Sequence, residues 1–149
     1  MVLERVGNAD NVGAIFRSAA ALGATAVLLD AGCADPLYRK SIRTSMAASL
    51  SLPFAEAAPW PDMLDELRAM GVAVIALTPD AGAMPLRQAA AAAAGRPVAL
   101  VAGHEGEGLS PGAMARAAIR ARIEISPAVD SLNIATAAAI ALYELRSSG

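Results

Sequence analysis

One cysteine, one histidine and a 3% share of aromatic residues leave this chain of 149 residues short of several kinds of chemistry. Cys33 has no partner for an intramolecular disulfide, which fits a reducing cytoplasm and makes it a structural bystander. His104 stands beside Glu105 and Glu107, but neighbouring side chains on a turn point in different directions, so no metal site is expected. No apolar run reaches the ~18 residues of a membrane span, and no basic segment precedes a cleavable stretch, so neither a span nor a signal peptide is indicated. Positive charge is not in excess either: the net charge is −2 and the pI about 5.3, where nucleic-acid binders are usually basic. The charge is uneven, with five basic and four acidic groups in residues 1–50 and seven and ten in residues 51–149. Arg39, Lys40 and Arg43 fall within five positions, either a solvated helix face or a phosphate-contacting group.

Hydrophobic content is 56% and rich in alanine, and the length suits one domain, residues 1–149, that buries roughly two thirds of its unfolded surface. Strands are expected at residues 2–6, 25–30, 50–55, 72–77, 97–102 and 123–125. Helices are expected at about 11–22, with Asp10 or Asn8 as cap and Gly23 as stop, and at 36–44, 61–70, 89–94 and 132–146. Residues 78–84 read as a loop. Trp60, between Pro59 and Pro61, is read as anchoring its loop to the core rather than as a base-stacking platform. The alternation gives an α/β fold with a mostly parallel sheet and helices on both faces.

Two stretches carry the chemistry. LVAGHEGEGLS at 100–110 is a buried strand that empties into a turn with Gly103, Gly106 and Gly108, where glycine permits positive φ and close approach of a ligand. RIEISPAVDSLNIATAAAIALYE at 122–144 is a short strand ended by Pro127, then Asp130, Ser131 and Asn133 at the start of a long helix. Asp130 or Ser131 is the expected cap. Two strands ending in such loops resemble the crevice where open α/β sheets bind ligands. The spacing in GHEGEG is not that of the phosphate-binding glycine fingerprint, and its two carboxylates would repel a pyrophosphate.

Together with NVGAIFRSAAALGA at 11–24, these stretches resemble the three motifs of the SpoU (TrmH) branch of the SPOUT methyltransferases. The pieces that carry the resemblance are Asn-x-Gly-x-x-x-Arg, Gly-x-Glu-Gly-x-Gly and Ser-Leu-Asn. Arg43-Thr44-Ser45-Met46 is similar to a further segment of the family. The resemblance implies transfer of a methyl group from S-adenosylmethionine to a ribose 2′-hydroxyl of rRNA or tRNA. It implies a C-terminal trefoil knot whose loops hold the cofactor, a homodimer with RNA as partner, and a cytoplasmic enzyme. Cofactor-binding positions would be Leu77, Thr78, Gly103, Ile123, Ser131 and Leu132, with glycine allowing close approach and Ile and Leu sandwiching an adenine. Catalytic positions would be Arg17, Asn11, Glu105, Ser131 and Asn133, with Asn11, Glu105 and Asn133 holding Arg17 and the ribose. Arg17, Arg39, Lys40 and Arg43 would face RNA. A guanidinium is a poor general base in water, so Arg17 either stabilises the developing alkoxide or binds the adjacent phosphate, or loses its proton transiently in a desolvated site.

His104 stands at a variable position where relatives often carry Asn, Ser or Ala, and is read as a neutral hydrogen-bonding residue rather than a catalytic base. Many relatives carry an RNA-binding domain ahead of the first strand, so the chain is expected to be either naturally minimal or cut from a longer protein. Ala135, Ala138, Ala139 and Leu142 form a small-residue stripe, open to a partner helix or to the chain's own core. Two other functions stand beside the enzyme: a non-catalytic knotted RNA-binding module, and an unrelated α/β nucleotide-binding domain.

Overall fold

The structure, a computed structural model, describes residues 1–147. It runs β1 (Val2–Leu3), α1 (Ala9–Ala21), β2 (Val27–Leu29), α2 (Arg39–Thr44), β3 (Phe54–Glu56), α3 (Met63–Ala69) and β4 (Ala73–Leu77). It continues with β5 (Met84–Pro85), α4 (Leu86–Ala92), β6 (Val98–Ala102), α5 (Pro111–Arg116), β7 (Ile119–Arg122) and α6 (Ile134–Ser147). The seven strands pair in parallel in the order β3-β2-β1-β6-β4-β7-β5. Strands β4 and β6, AVIAL and VALVA, are apolar at every position, as a strand covered on both faces requires.

Their alternation sorts the core into two layers. Leu3, Ile75, Leu100 and Ala102 meet Ile15, Phe16 and Ala19 of α1 and Ala89 and Ala138 of α4 and α6. Val2, Val74, Ala99 and Val101 meet Leu64 of α3 and Ala113 of α5 on the other face. Fully burying a side chain such as Phe16 contributes about 1.5–3 kcal/mol. Trp60 packs on the second layer and donates from Nε1 to Glu4 Oε1 at 2.7 Å, the anchoring role read from its sequence.

Several boundaries differ from the sequence reading. β1 ends at Leu3 because Arg5 turns into the left-handed region at φ 52°. α2 begins at Arg39, not residue 36, since Asp35 closes a turn by accepting from Leu37 N at 2.8 Å. β3 starts at Phe54 because residues 48–50 form a 3₁₀ turn. The last strand is Ile119–Arg122, not residues 123–125. Ala121 is buried in the sheet, whereas residues 123–125 have already left it. β5 and α5 had no counterpart in the sequence reading, the first being two residues long and the second opening at Pro111 behind the Ser110 cap.

Helix ends explain the rest. Asn8, one of the two expected caps, accepts from Asp10 N and Asn11 N, while Asp10 pairs with Lys40 at 3.0 Å. At α6 the cap is neither Asp130 nor Ser131: Asn133 Oδ1 accepts from Ala135 N and Thr136 N at 2.9 and 3.2 Å, so the helix starts at Ile134. Within the stripe on α6, Ala138 is buried and Ala135 and Leu142 pack on the core, a use internal to the chain.

Candidate functional site

Strands β6, β4 and β7 are neighbours, and being parallel they release their chains at one edge of the sheet. A cleft of about 690 Å³ opens there between the loops that follow the three strands. Leu77, Thr78, Gly103, Ile123, Ser131 and Leu132, the six expected cofactor positions, all line it. Thr78 N donates to Ala121 O at 2.9 Å and extends the β4–β7 ladder to the cleft floor. Ile125 and Val129 add to the apolar wall. This is the place and the lining that open α/β sheets give to small ligands.

The loop after β6 owes its shape to glycine. Gly108 N donates to His104 O at 2.9 Å, and Gly106 and Gly108 sit at φ 95° and 67°. Gly103 lines the cleft and is also required by the loop itself. A Cβ there would stand 2.7 Å from the Gly108 carbonyl carbon and Leu109 N, so the loop itself fills the space. The loop is also pinned from behind. The buried carboxyl group of Glu4 accepts from Ser110 N at 2.7 Å and from the Ser110 hydroxyl, and Ser110 caps α5.

At the rim, three motif residues from distant parts of the sequence meet. Asn133 Nδ2 donates to Asn11 Oδ1 at 3.1 Å and to Glu105 Oε1 at 3.0 Å. Because Asn133 Oδ1 caps α6, both ends of its amide are committed and its orientation is settled. Asn11 is buried, its Oδ1 receiving from Asn133. Glu105 is exposed beside it. Ser131 lines the cleft with its side chain exposed.

The structure does not bring Arg17 to this group. Arg17 lies on the solvent face of α1, six residues past Asn11, and has no hydrogen bond or ion pair among the described residues. Arg39, Lys40 and Arg43 are exposed on α2, with Lys40 engaged by Asp10. His104 is exposed, with its backbone closing the loop. No cluster of three or more His, Cys, Asp or Glu side chains suited to a metal ion occurs among the described residues, and no described helix is long and apolar enough to cross a membrane.

Residues absent from the sequence reading also shape the site. Arg122 lines the cleft and donates from Nε to Ala83 O at 3.0 Å, tying β7 to the loop before β5. A second pocket of about 350 Å³ lies across the rim, lined by Arg5, Asn8, Asn11, His104 and Glu105 with Val6 and Gly7. Neither arginine is among the motif positions that carry the resemblance, and only the fold gives them neighbours.

The sequence profile of the SpoU rRNA methylase family matches residues 1–143. An uncharacterised tRNA/rRNA methyltransferase of Mycobacterium tuberculosis is 47% identical over 148 residues, 99% of this chain and 51% of the relative. A 23S rRNA guanosine 2′-O-methyltransferase of Bacillus subtilis is 30% identical over 98% of this chain and 57% of its own length. The crystal structure of an AdoMet-bound rRNA methyltransferase from Sinorhizobium meliloti superposes with a TM-score of 0.89 at 34% identity, covering 98% of this chain and 54% of that one. The chain spans about half the length of the curated relatives it matches. With the profile matched from the first strand into the last helix, and Asn11, Glu105 and Asn133, one from each motif, bonded at the rim of one cleft, the chain belongs to the SpoU rRNA methylase family.

Proposed function

We propose that this chain is the methyl-transferring part of an S-adenosylmethionine-dependent RNA methyltransferase, acting on a ribose 2′-hydroxyl of rRNA or tRNA. The observation that carries the reading is the Asn11–Asn133–Glu105 bridge standing at the rim of the apolar cleft. The relatives' names agree with it, one as a 2′-O-methyltransferase and one as an AdoMet-bound enzyme.

The residues present fit the cofactor. Leu77, Ile123 and Leu132 offer apolar surface for an adenine, and the volume lies within the usual range for a ligand of that size. Bound there, S-adenosylmethionine supplies a methyl group on a sulfonium. The chain's task is then alignment and proton management: the acceptor oxygen must lie in line with the methyl and surrender its proton. Asn133, fixed at both ends, positions Glu105 at the rim, where a carboxylate can accept from a ribose hydroxyl. Arg17, exposed and away from its own bridge, serves the site of a second subunit in a homodimer. There it stabilises the developing alkoxide or holds the neighbouring phosphate. The trefoil knot, the cytoplasmic setting and RNA contacts by Arg39, Lys40 and Arg43 belong to the same proposal.

The test is methyl transfer from radiolabelled cofactor to unmodified rRNA and tRNA, followed by alkaline hydrolysis. A 2′-O-methyl group blocks cleavage at its own phosphodiester, so label is expected in alkali-resistant dinucleotides, and Arg17→Ala is expected to reduce it by about 100-fold or more. Label in mononucleotides would mean base methylation. No incorporation into any RNA would contradict the proposal.

A further inference from the structure

The second pocket is set apart from the cofactor cleft by the Asn11–Asn133–Glu105 bridge, and the two cavities share His104 and Glu105 as their common wall. In-line transfer puts donor and acceptor on opposite sides of the methyl group, and a pocket across this wall from the cofactor cleft meets that requirement. Its two ends differ: Glu105 is the acceptor at the shared wall, and the end formed by Arg5, Asn8 and Asn11 offers donors. Asn8 Oδ1 is consumed by Asp10 N and Asn11 N, and Asn11 Oδ1 is consumed by Asn133. Each amide therefore has its acceptor committed and its NH2 donors without a partner among the described residues.

Arg5 completes the pocket. It is the pocket's one arginine or lysine, and its backbone is held at φ 52° by a hydrogen bond from its N–H to Asp30 Oδ1 at 2.8 Å. Gly32 makes room for it, since a Cβ at that position would stand 2.9 Å from Arg5 Cγ. A non-glycine residue in this conformation is uncommon and clusters at functional sites. The guanidinium contacts Glu107 Oε2 at 2.6 Å and Gly108 O at 3.4 Å, with the Glu107 side chain 69% exposed. An exposed pair of this kind holds weakly, whereas a phosphate accepts two parallel bonds from a guanidinium.

We infer that the pocket of Arg5, Asn8 and Asn11 binds the RNA phosphodiester next to the acceptor ribose, and that Glu107 occupies Arg5 until that phosphate displaces it. The inference rests on the methyltransferase reading above. Donors at one end meet the acceptor-only phosphate, and Glu105 at the shared wall meets the ribose hydroxyl. Glu107 keeps the guanidinium over the pocket in the absence of RNA.

The test is binding of a fluorescein-labelled, mixed-sequence oligoribonucleotide by anisotropy, with saturating S-adenosylhomocysteine, across a salt series. Arg5→Ala is expected to weaken binding about fivefold and to reduce the slope of log K against log salt by roughly 0.7, one single-strand phosphate contact. Arg87→Ala, on α4 and 89% exposed, is the control for losing one positive charge. Glu107→Gln is expected to tighten binding about threefold in the otherwise unaltered chain and to have no effect in Arg5→Ala, because what it releases is Arg5. Equal tightening in both backgrounds, equal weakening by Arg87→Ala, or unchanged affinity in Arg5→Ala would overturn the subsite. Calorimetric titration of each variant with S-adenosylhomocysteine checks that the fold and cleft are intact. Cofactor binding without RNA binding by the unaltered chain would reject the subsite and leave the cleft standing. Loss of both would reject the methyltransferase reading as well.

Discussion

Asn133 performs two tasks with one amide, and substitution can separate them. Asn133→Asp keeps an acceptor for Ala135 N and Thr136 N but turns a second acceptor toward Asn11 Oδ1 and Glu105. Asn133→Ala loses cap and bridge together. Urea unfolding is expected to show about 1 kcal/mol lost from the cap in the alanine variant. The aspartate variant should instead show its main loss in methyl transfer. Cys33 is a half-buried free thiol beside Asp30. Burial, together with the nearby Asp30 carboxylate, pushes its thiol from 9.0 up to about 12. The thiolate is the reactive form, so maleimide or iodoacetamide at pH 8 should label the native chain far more slowly than the urea-unfolded one. The sign of the pH effect follows. Below pH 9 both states keep the proton, and between 9 and 12 only the folded state does, so stability falls as pH rises through that window. A wild-type minus Cys33→Ala difference titration reads that slope directly. Motif residues such as Asn11, Glu105 and Asn133 were legible through the resemblance to the SpoU motifs, and the structure brings the three together. Arg5 and Glu4 were not, since a charged residue at a strand end looks the same whether it faces water or, as Glu4 does, accepts from Trp60 and Ser110 in the interior.

Packing between elements gives the glycine of the first motif its meaning. A Cβ on Gly13 would stand 2.1 Å from Thr44 Oγ1 and 2.6 Å from Ser41 O, so this glycine lets α2 rest against α1. Gly13→Ala should cost about 1–3 kcal/mol through overpacking, read as a lower urea midpoint with an unchanged slope. Ser41 sits in the same contact with its hydroxyl buried and without a hydrogen-bond partner among the described residues. Ser41→Ala should therefore be neutral or stabilise by up to about 1 kcal/mol. The strand–helix alternation was readable because apolar runs and glycine stops punctuate it. The end of β1, the start of α6 and the position of β7 were not. Each is decided by a partner far along the chain: Asp30 for Arg5, Asn11 and Glu105 for Asn133, and β4 for Ile119 and Ala121.

At the scale of the molecule, the parallel sheet does the assembling. Because β1, β6, β4 and β7 lie side by side and point the same way, segments about a hundred residues apart in sequence deliver their loops to one edge. The net charge of −2 does not oppose an RNA face. Arg17, Arg39 and Arg43 are exposed on α1 and α2, and long-range charge is screened beyond about 10 Å at moderate salt. The central claim, that the cleft beyond β4, β6 and β7 holds the cofactor, is tested by calorimetric titration with S-adenosylhomocysteine. Leu132→Trp is the comparison, because Leu132 lines the cleft and is only half-buried, so bulk added there fills the cleft without invading the core. The unaltered chain should bind one equivalent per cleft and Leu132→Trp should bind at least about tenfold more weakly with its fold intact by circular dichroism. Undiminished binding in Leu132→Trp, or no binding by the folded unaltered chain, would contradict the claim.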